Sequence, residues 1–128
     1  MSGQKYSGFL PGRHLIEGYG SYGFHFGGMS HRGSILALPS GIYAWDVTGP
    51  EELSAVALAQ VFTEPRGDIE HLLIGTGDEL RPLAKDLREA LRAAGIRAEP
   101  MATGAAARTY SILLGENRRV AAALIAVA

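Results

Sequence analysis

Ile69-Glu70-His71-Leu72-Leu73-Ile74-Gly75-Thr76-Gly77 is the stretch that decides the fold, a short apolar run ending in a Gly-Thr-Gly turn. It is of strand length and nearly hydrophobic on both faces, as a central parallel strand covered on each side requires. The same junction chemistry recurs at Met101-Ala102-Thr103-Gly104, where a second run meets a Thr-Gly step. A helical pattern follows each junction. After the first, Leu80, Leu83, Leu87, Leu91 and Ala94 recur at helical spacing, and Lys85, Asp86, Arg88, Glu89 and Arg92 occupy the other side. Gly95 suits the C-terminal cap of that helix. After the second, residues 104–114 read as a helix with Ala105, Ala106, Tyr110 and Leu113 or Leu114 as its packed face. Strands at residues 97–101 and 120–127 complete a parallel β-α-β-α-β unit.

Pro100 and crossover handedness order that unit. Proline cannot donate to a ladder, so the strand at 97–101 belongs at the sheet edge. Right-handed crossovers then return the last strand to the opposite side of 69–74, giving the order second, first, third with the two helices on opposite faces. The switch point of such a sheet lies at the carboxyl end of the first strand, where Gly75-Thr76-Gly77 sits. Both Thr-Gly junctions are expected on that one rim.

Upstream the pattern changes. Tyr22, Phe24 and Phe26 alternate with Gly23 and His25, and Ile35, Ala37 and Ile42, Ala44 flank Pro39-Ser40-Gly41. Period-two alternation broken by Gly and Pro indicates short antiparallel hairpins. Residues 1–12 read as a partly ordered lead-in. Thr48-Gly49-Pro50-Glu51 reads as a capping-box start, with Leu53, Val56, Ala57 and Val61 on one helical face and Pro65-Arg66-Gly67-Asp68 ending the helix. The fold class is therefore α/β, with α+β character at the N-terminal hairpins. It is read as a single three-layer domain over residues 1–128 with a mixed central sheet.

Composition narrows function mainly by exclusion. Twelve basic residues against 13 acidic ones give a net charge of -1, and the cations are scattered along the sequence, so no nucleic-acid or anionic-lipid footprint is visible. Cysteine is absent, which removes disulfides, thiol nucleophiles and thiolate metal sites. No secretory signal is read at the start, and the apolar run at 120–128 is too short to span a bilayer. The expectation is a cytoplasmic protein without a transmembrane segment.

Candidate site residues follow from the rim. Gly75-Thr76-Gly77 entering a helix could hold an anion on exposed N–H groups, although Asp78 and Glu79 repel phosphate there and both the dinucleotide and P-loop fingerprints are incomplete. Thr103, Gly104, Arg108 and Tyr110 form the richer candidate, because Arg108 lies one turn past Gly104 and can reach back over the helix N-terminus. The plainer readings are an N-cap for Thr103 and an ion pair from Arg108 to Asp78 or Glu79. His14, His25, His31 and His71 lack ligand spacing, so no metal is expected. Ser30-His31-Arg32 reads as a polar hairpin turn, since no nucleophile elbow surrounds Ser30. Trp45 reads as core, while Tyr19 and Tyr22 are left open between core and partner surface. No catalytic residue and no cofactor is assigned, which moves the expectation from enzyme toward binding or assembly.

Leu72-Leu73-Ile74-Gly75-Thr76-Gly77-Asp78, Gly95-Ile96, Thr103-Gly104-Ala105-Ala106, Arg108-Thr109-Tyr110, and Arg119 leading into Ala122-Ala123-Leu124-Ile125 together carry a resemblance. With Tyr22-Gly23-Phe24 and Ile42-Tyr43-Ala44-Trp45 upstream, the chain resembles the mitochondrial complex I assembly factor 3 family and its uncharacterised prokaryotic relatives. The resemblance implies a three-layer α/β domain, no established catalytic activity, no cofactor and a protein partner. It links the chain to respiratory-complex or membrane-protein biogenesis, and a homo-oligomer is compatible with it. Ser111 stands where relatives commonly carry Asn, and no mitochondrial presequence is read, which places the chain with the bacterial-type members. The alternative expectation is a binder of, or enzyme for, a small anionic ligand in the crevice at the strand ends.

Overall fold

The computed structural model describes residues 6–128 of the chain. Its strands are β1 (Phe9–Pro11), β2 (Ile16–Gly20), β3 (Gly23–Phe26), β4 (Met29–Arg32), β5 (Ser34–Leu38), β6 (Gly41–Trp45), β7 (His71–Gly75), β8 (Arg97–Met101) and β9 (Val120–Leu124). Its α-helices are α1 (Lys85–Ala93) and α2 (Thr103–Gly115). Six strands form a mixed sheet in the order β1-β6-β5-β9-β7-β8, and β2-β3-β4 form a second, antiparallel one. β7 pairs in parallel with β8 on one side and β9 on the other, while β9 meets β5 antiparallel. The fold is thus α/β with a mixed central sheet, ordered second, first, third in its parallel part.

Alternation along β7 sets the layers. Leu72 and Ile74 join one buried cluster with Leu87 and Leu91 of α1, whereas Leu73 joins the other with Ala106, Ala107 and Tyr110 of α2. The helices therefore cover opposite faces, as right-handed crossovers demand. Beside α2, Phe24 and Phe26 of the small sheet cover the same face. Opposite them, Leu58 and Val61 extend the α1 layer across the antiparallel strands. All five residues of β9 are buried, and its three alanines let both layers approach the sheet closely.

α1 ends in a Schellman motif. Ile96 N–H reaches the Leu91 carbonyl and Gly95 N–H the Arg92 carbonyl, each at 2.9 Å, with Gly95 at φ +80°. β8 is the outer strand, and Arg97 and Met101 both bond to the β7 side through Glu70 and Thr76. Backbone bonding alternates along a strand, so Pro100 points outward, where its missing N–H costs no ladder bond. Pro11 has the same place at the other end: Gly8 and Gly12 bond toward β6, leaving Phe9 and Pro11 outward.

Several elements differ from the sequence expectations. Residues 48–63 do not form one helix; two 3₁₀ turns, Pro50–Glu52 and Val61–Thr63, flank a series of turns. A capped start does form, but one residue later than expected: Gly49 is the N-cap, and the carboxylate that accepts from the N–H groups of Thr48 and Gly49, each at 3.0 Å, is Glu52 and not Glu51. Leu53 then turns extended, and Ser54 Oγ accepts from Ala57 N–H at 3.0 Å, which caps a separate turn. Val56, expected on the packed face, is 85% exposed. Leu80 is likewise exposed, because Pro82 keeps the preceding residue out of helical geometry and α1 starts only at Lys85. Ala107 is buried on α2 where Ala105 was expected. Ser30-His31-Arg32 lie in β4, and the turn is Gly27-Gly28. Phe9–Pro11, inside the expected lead-in, form β1, while residues 1–5 of that lead-in lie outside the described residues.

Candidate functional site

Both Thr-Gly junctions meet on one rim and are stitched together. Thr103 N–H donates to the Gly77 carbonyl at 2.8 Å, and Gly77 N–H donates to Thr103 Oγ1 at 3.0 Å. The same hydroxyl donates to the Ile125 carbonyl at 2.7 Å, which joins the end of β9 to the pair. Thr103 is fully buried. It is therefore not the N-cap of α2; that position is Ala102, and the hydroxyl is consumed in joining three strand ends.

Thr76 plays the matching part in the first junction. Its N–H donates to the Met101 carbonyl at 2.8 Å, its Oγ1 donates to the Glu79 carbonyl at 2.7 Å, and it accepts from Arg81 N–H at 3.0 Å. The loop thus winds around a buried hydroxyl. Gly75 is required by close approach, since a Cβ there would lie 2.9 Å from both Cα and Oγ1 of Thr103. Neither threonine leaves a hydroxyl for a ligand.

What faces solvent is different chemistry. Arg108 is exposed, and its guanidinium donates to the Tyr19 hydroxyl at 3.1 Å. Neither Asp78 nor Glu79 pairs with it; Glu79 meets Arg81 at 3.9 Å instead. The Tyr19 ring lies over Gly104, where an added Cβ would overlap its hydroxyl. Tyr110, expected at this site, is 1% exposed and belongs to the core, its hydroxyl donating to the His14 carbonyl at 3.3 Å. Burial pushes that phenol up to about 12, against a weaker opposing effect of Arg13. Ser111, one residue on, accepts from Ile16 N–H at 2.9 Å and so ties α2 to β2.

The tip of the β2–β3 hairpin completes the rim. Tyr22 N–H donates to the Val127 carbonyl at 2.7 Å, and Tyr22 also borders a cleft of about 390 Å³ with Thr48, Gly77, Asp78 and Arg81. Ser21 and Tyr22 both carry positive φ, 53° and 61°. Two central residues with φ above zero make a type I′ turn, which ordinarily selects Asn-Gly. Tyr19 and Tyr22 stay 41% and 54% exposed. Sequence reading left these two tyrosines open, and the signal that could have placed them is the Gly20-Ser21-Tyr22-Gly23 turn itself. Trp45 is core, its indole N–H donating to the Ala57 carbonyl at 2.9 Å.

The histidines are dispersed among local partners. His14 meets the Pro11 carbonyl, His25 meets Ser30 Oγ at 2.8 Å, and His71 lies 3.5 Å from Glu70. His31 packs against Tyr6, and partial burial lowers its pKa, partly offset by a backbone hydrogen bond involving Ser34. Among the described residues no cluster of three metal-ligating side chains exists, and no helix is long and apolar enough to cross a membrane.

Comparison with known proteins agrees with this architecture. The family described as Protein of unknown function (DUF498/DUF598) matches residues 16–125. An uncharacterized protein of Rhodobacter capsulatus is 41% identical over 94% of this chain and 87% of its own length. The Drosophila melanogaster protein named NADH dehydrogenase [ubiquinone] 1 alpha subcomplex assembly factor 3 is 35% identical over 87% of this chain. The chain spans 58% of that relative's length. A crystal structure described as an outer membrane protein from Bartonella henselae superposes with a TM-score of 0.88 and 50% identity, covering 93% of this chain and 99% of that one.

Proposed function

This chain belongs to the DUF498/DUF598 family of proteins of unknown function, and we propose that it acts as a non-catalytic, assembly-factor-like binding protein of the cytoplasm. Its partner is a protein of respiratory-complex or membrane-protein biogenesis. The docking surface is the rim formed by residues 75–79 and 102–108 together with the tip of the β2–β3 hairpin. One observation carries this reading: the buried polar groups of the rim are spent on each other, while Tyr19, Tyr22 and Arg108 stand exposed around it. Tyrosine and arginine are enriched among the residues that carry the binding energy of protein interfaces. The kinship with proteins named as complex I assembly factors supports the same reading.

Affinity capture from native lysate tests it, with the unmodified protein beside a Tyr19→Ala/Arg108→Glu variant. Capture of a protein by the former and its loss from the latter is the expected result. Identical proteins on both baits, or none on either, would overturn the assignment of the rim. Thermal shift with nucleotides, phosphate and small carboxylates supplies the counter-test. A ligand at a hundred times its Kd adds about 2.7 kcal/mol of stability, and such a shift would redirect the rim toward small-molecule binding.

A further inference from the structure

The charged side of the first helix carries a basic stripe that the fold sets beside the edge strand. Lys85, Arg88 and Arg92 lie on one exposed stripe of α1, at spacings of three and four residues. β8 comes alongside this stripe because the Schellman turn at Gly95 reverses the chain back along the helix, and its first residue, Arg97, also borders the space between them. These four residues line a groove of about 590 Å³ between α1 and the edge strand. Arg66 borders the same end, its guanidinium donating to the Ala93 carbonyl at 3.2 Å.

The groove is charged on its walls and apolar on its floor. Ile96 and Ala98 form that floor, and Glu89 is the one carboxylate among the lining residues. Among the described residues, none of Lys85, Arg88, Arg92 and Arg97 lies within ion-pair distance of a carboxylate. The three cations of the α1 stripe against Glu89 are a local excess, in a chain whose net charge is -1. Like charges held this close repel one another, and a partner of opposite sign relieves that repulsion.

We propose that the groove between α1 and β8 docks an acidic, extended segment of a partner protein. The site is separate from the rim and does not depend on it. Lys85 to Arg92 spans about 10 Å of helix axis, which roughly three residues of extended chain cover. Acidic and apolar side chains alternating along such a segment reach the cationic walls and the Ile96–Ala98 floor in turn. A nucleic acid is the poorer fit, because single strands bind on aromatic stacking platforms and no aromatic residue lines this groove. Strand addition is not the mode of docking, since Pro100 removes a donor from the outer edge of β8.

The test uses the full chain and a fluorescent peptide of alternating Glu and Val, about eight residues long. Anisotropy should show saturable binding that weakens as NaCl rises from about 50 to about 300 mM. An Arg88→Glu/Arg92→Glu variant should bind about tenfold or more weakly, while Arg118→Gln/Arg119→Gln, which also removes two cations, should bind as the unmodified protein does. Amide shifts on the unmodified protein should change along residues 85–98 when peptide is added, a readout that needs no variant to fold. Equal loss in both variants, amide changes elsewhere, or tighter binding of an RNA oligomer or an anionic vesicle than of the peptide would overturn the proposal.

Discussion

Thr103→Val is the sharpest probe of the rim. Valine keeps the branched shape in a site that is fully buried, so the substitution removes the hydroxyl with little change in volume. Two hydrogen bonds go with it, one donated to the Ile125 carbonyl and one accepted from Gly77 N–H. The Ile125 residue is 1% exposed, so its carbonyl is left without water or partner, whereas partly exposed Gly77 can recover a solvent bond. A stranded buried acceptor costs about 1–3 kcal/mol and the lost net bond about 1 kcal/mol, giving roughly 2–4 kcal/mol of destabilisation. Urea unfolding at about 2 kcal/mol per molar would read this as a midpoint lower by roughly 1–2 M at unchanged slope. Thr103→Ser keeps the hydroxyl, so it should recover most of the loss and retain only the smaller cost of a missing methyl. A valine variant within about 0.5 kcal/mol of the unmodified protein, or a serine variant no better than valine, would refute the claim that this hydroxyl holds three strand ends together.

Three further outcomes are expected. Gly75→Ala should lower stability by about 1–3 kcal/mol in the same assay, because the new Cβ meets the backbone of Thr103, which cannot swing aside. Tyr22→Gly and Tyr22→Ala both delete the ring, so their difference isolates the backbone. The glycine variant should be the more stable by about 0.5–1 kcal/mol, the left-handed strain of alanine less the entropy cost of glycine, and equal melting temperatures would count against a strained turn. Alkaline titration should show stability, intact below pH 10, falling toward pH 12, since folded Tyr110 holds its proton up to about 12 while the unfolded phenol releases it near 10. Tyr110→Phe should lessen that decline when unfolding is followed by circular dichroism, leaving the part due to Tyr6, whose phenol burial also raises to about 12, and an unchanged slope would refute the share of Tyr110.

Much of the architecture could be read from single residues. Pro100 marked the sheet edge, and handedness then ordered the parallel strands and set the helices on opposite faces. What escaped were features decided by competing local bonds. The helix expected over 48–63 breaks where Leu53 turns extended, and its start is capped by Glu52 in place of the expected Glu51. At the rim the two Thr-Gly phrases pointed to the right edge of the sheet. Sequence spacing could not show that the Thr103 hydroxyl bonds across to Gly77 of the other phrase, nor that a strand 89 residues upstream supplies Tyr19 to Arg108. Lys85, Arg88 and Arg92 could be read on the outer side of the first helix, but not the groove they line, since β8 comes alongside only after the chain reverses at Gly95.

The two outermost strands each spend an outward position on proline, Pro11 at one end and Pro100 at the other. A ladder that another chain could lengthen needs donors and acceptors in alternation, and each end of this sheet is missing one donor where growth would begin. Stacking of copies edge to edge into fibrils is therefore disfavoured at both ends, even though the middle strands are as apolar as any aggregation-prone segment. In a crowded cell that protection leaves the apolar centre free to be optimised for packing alone.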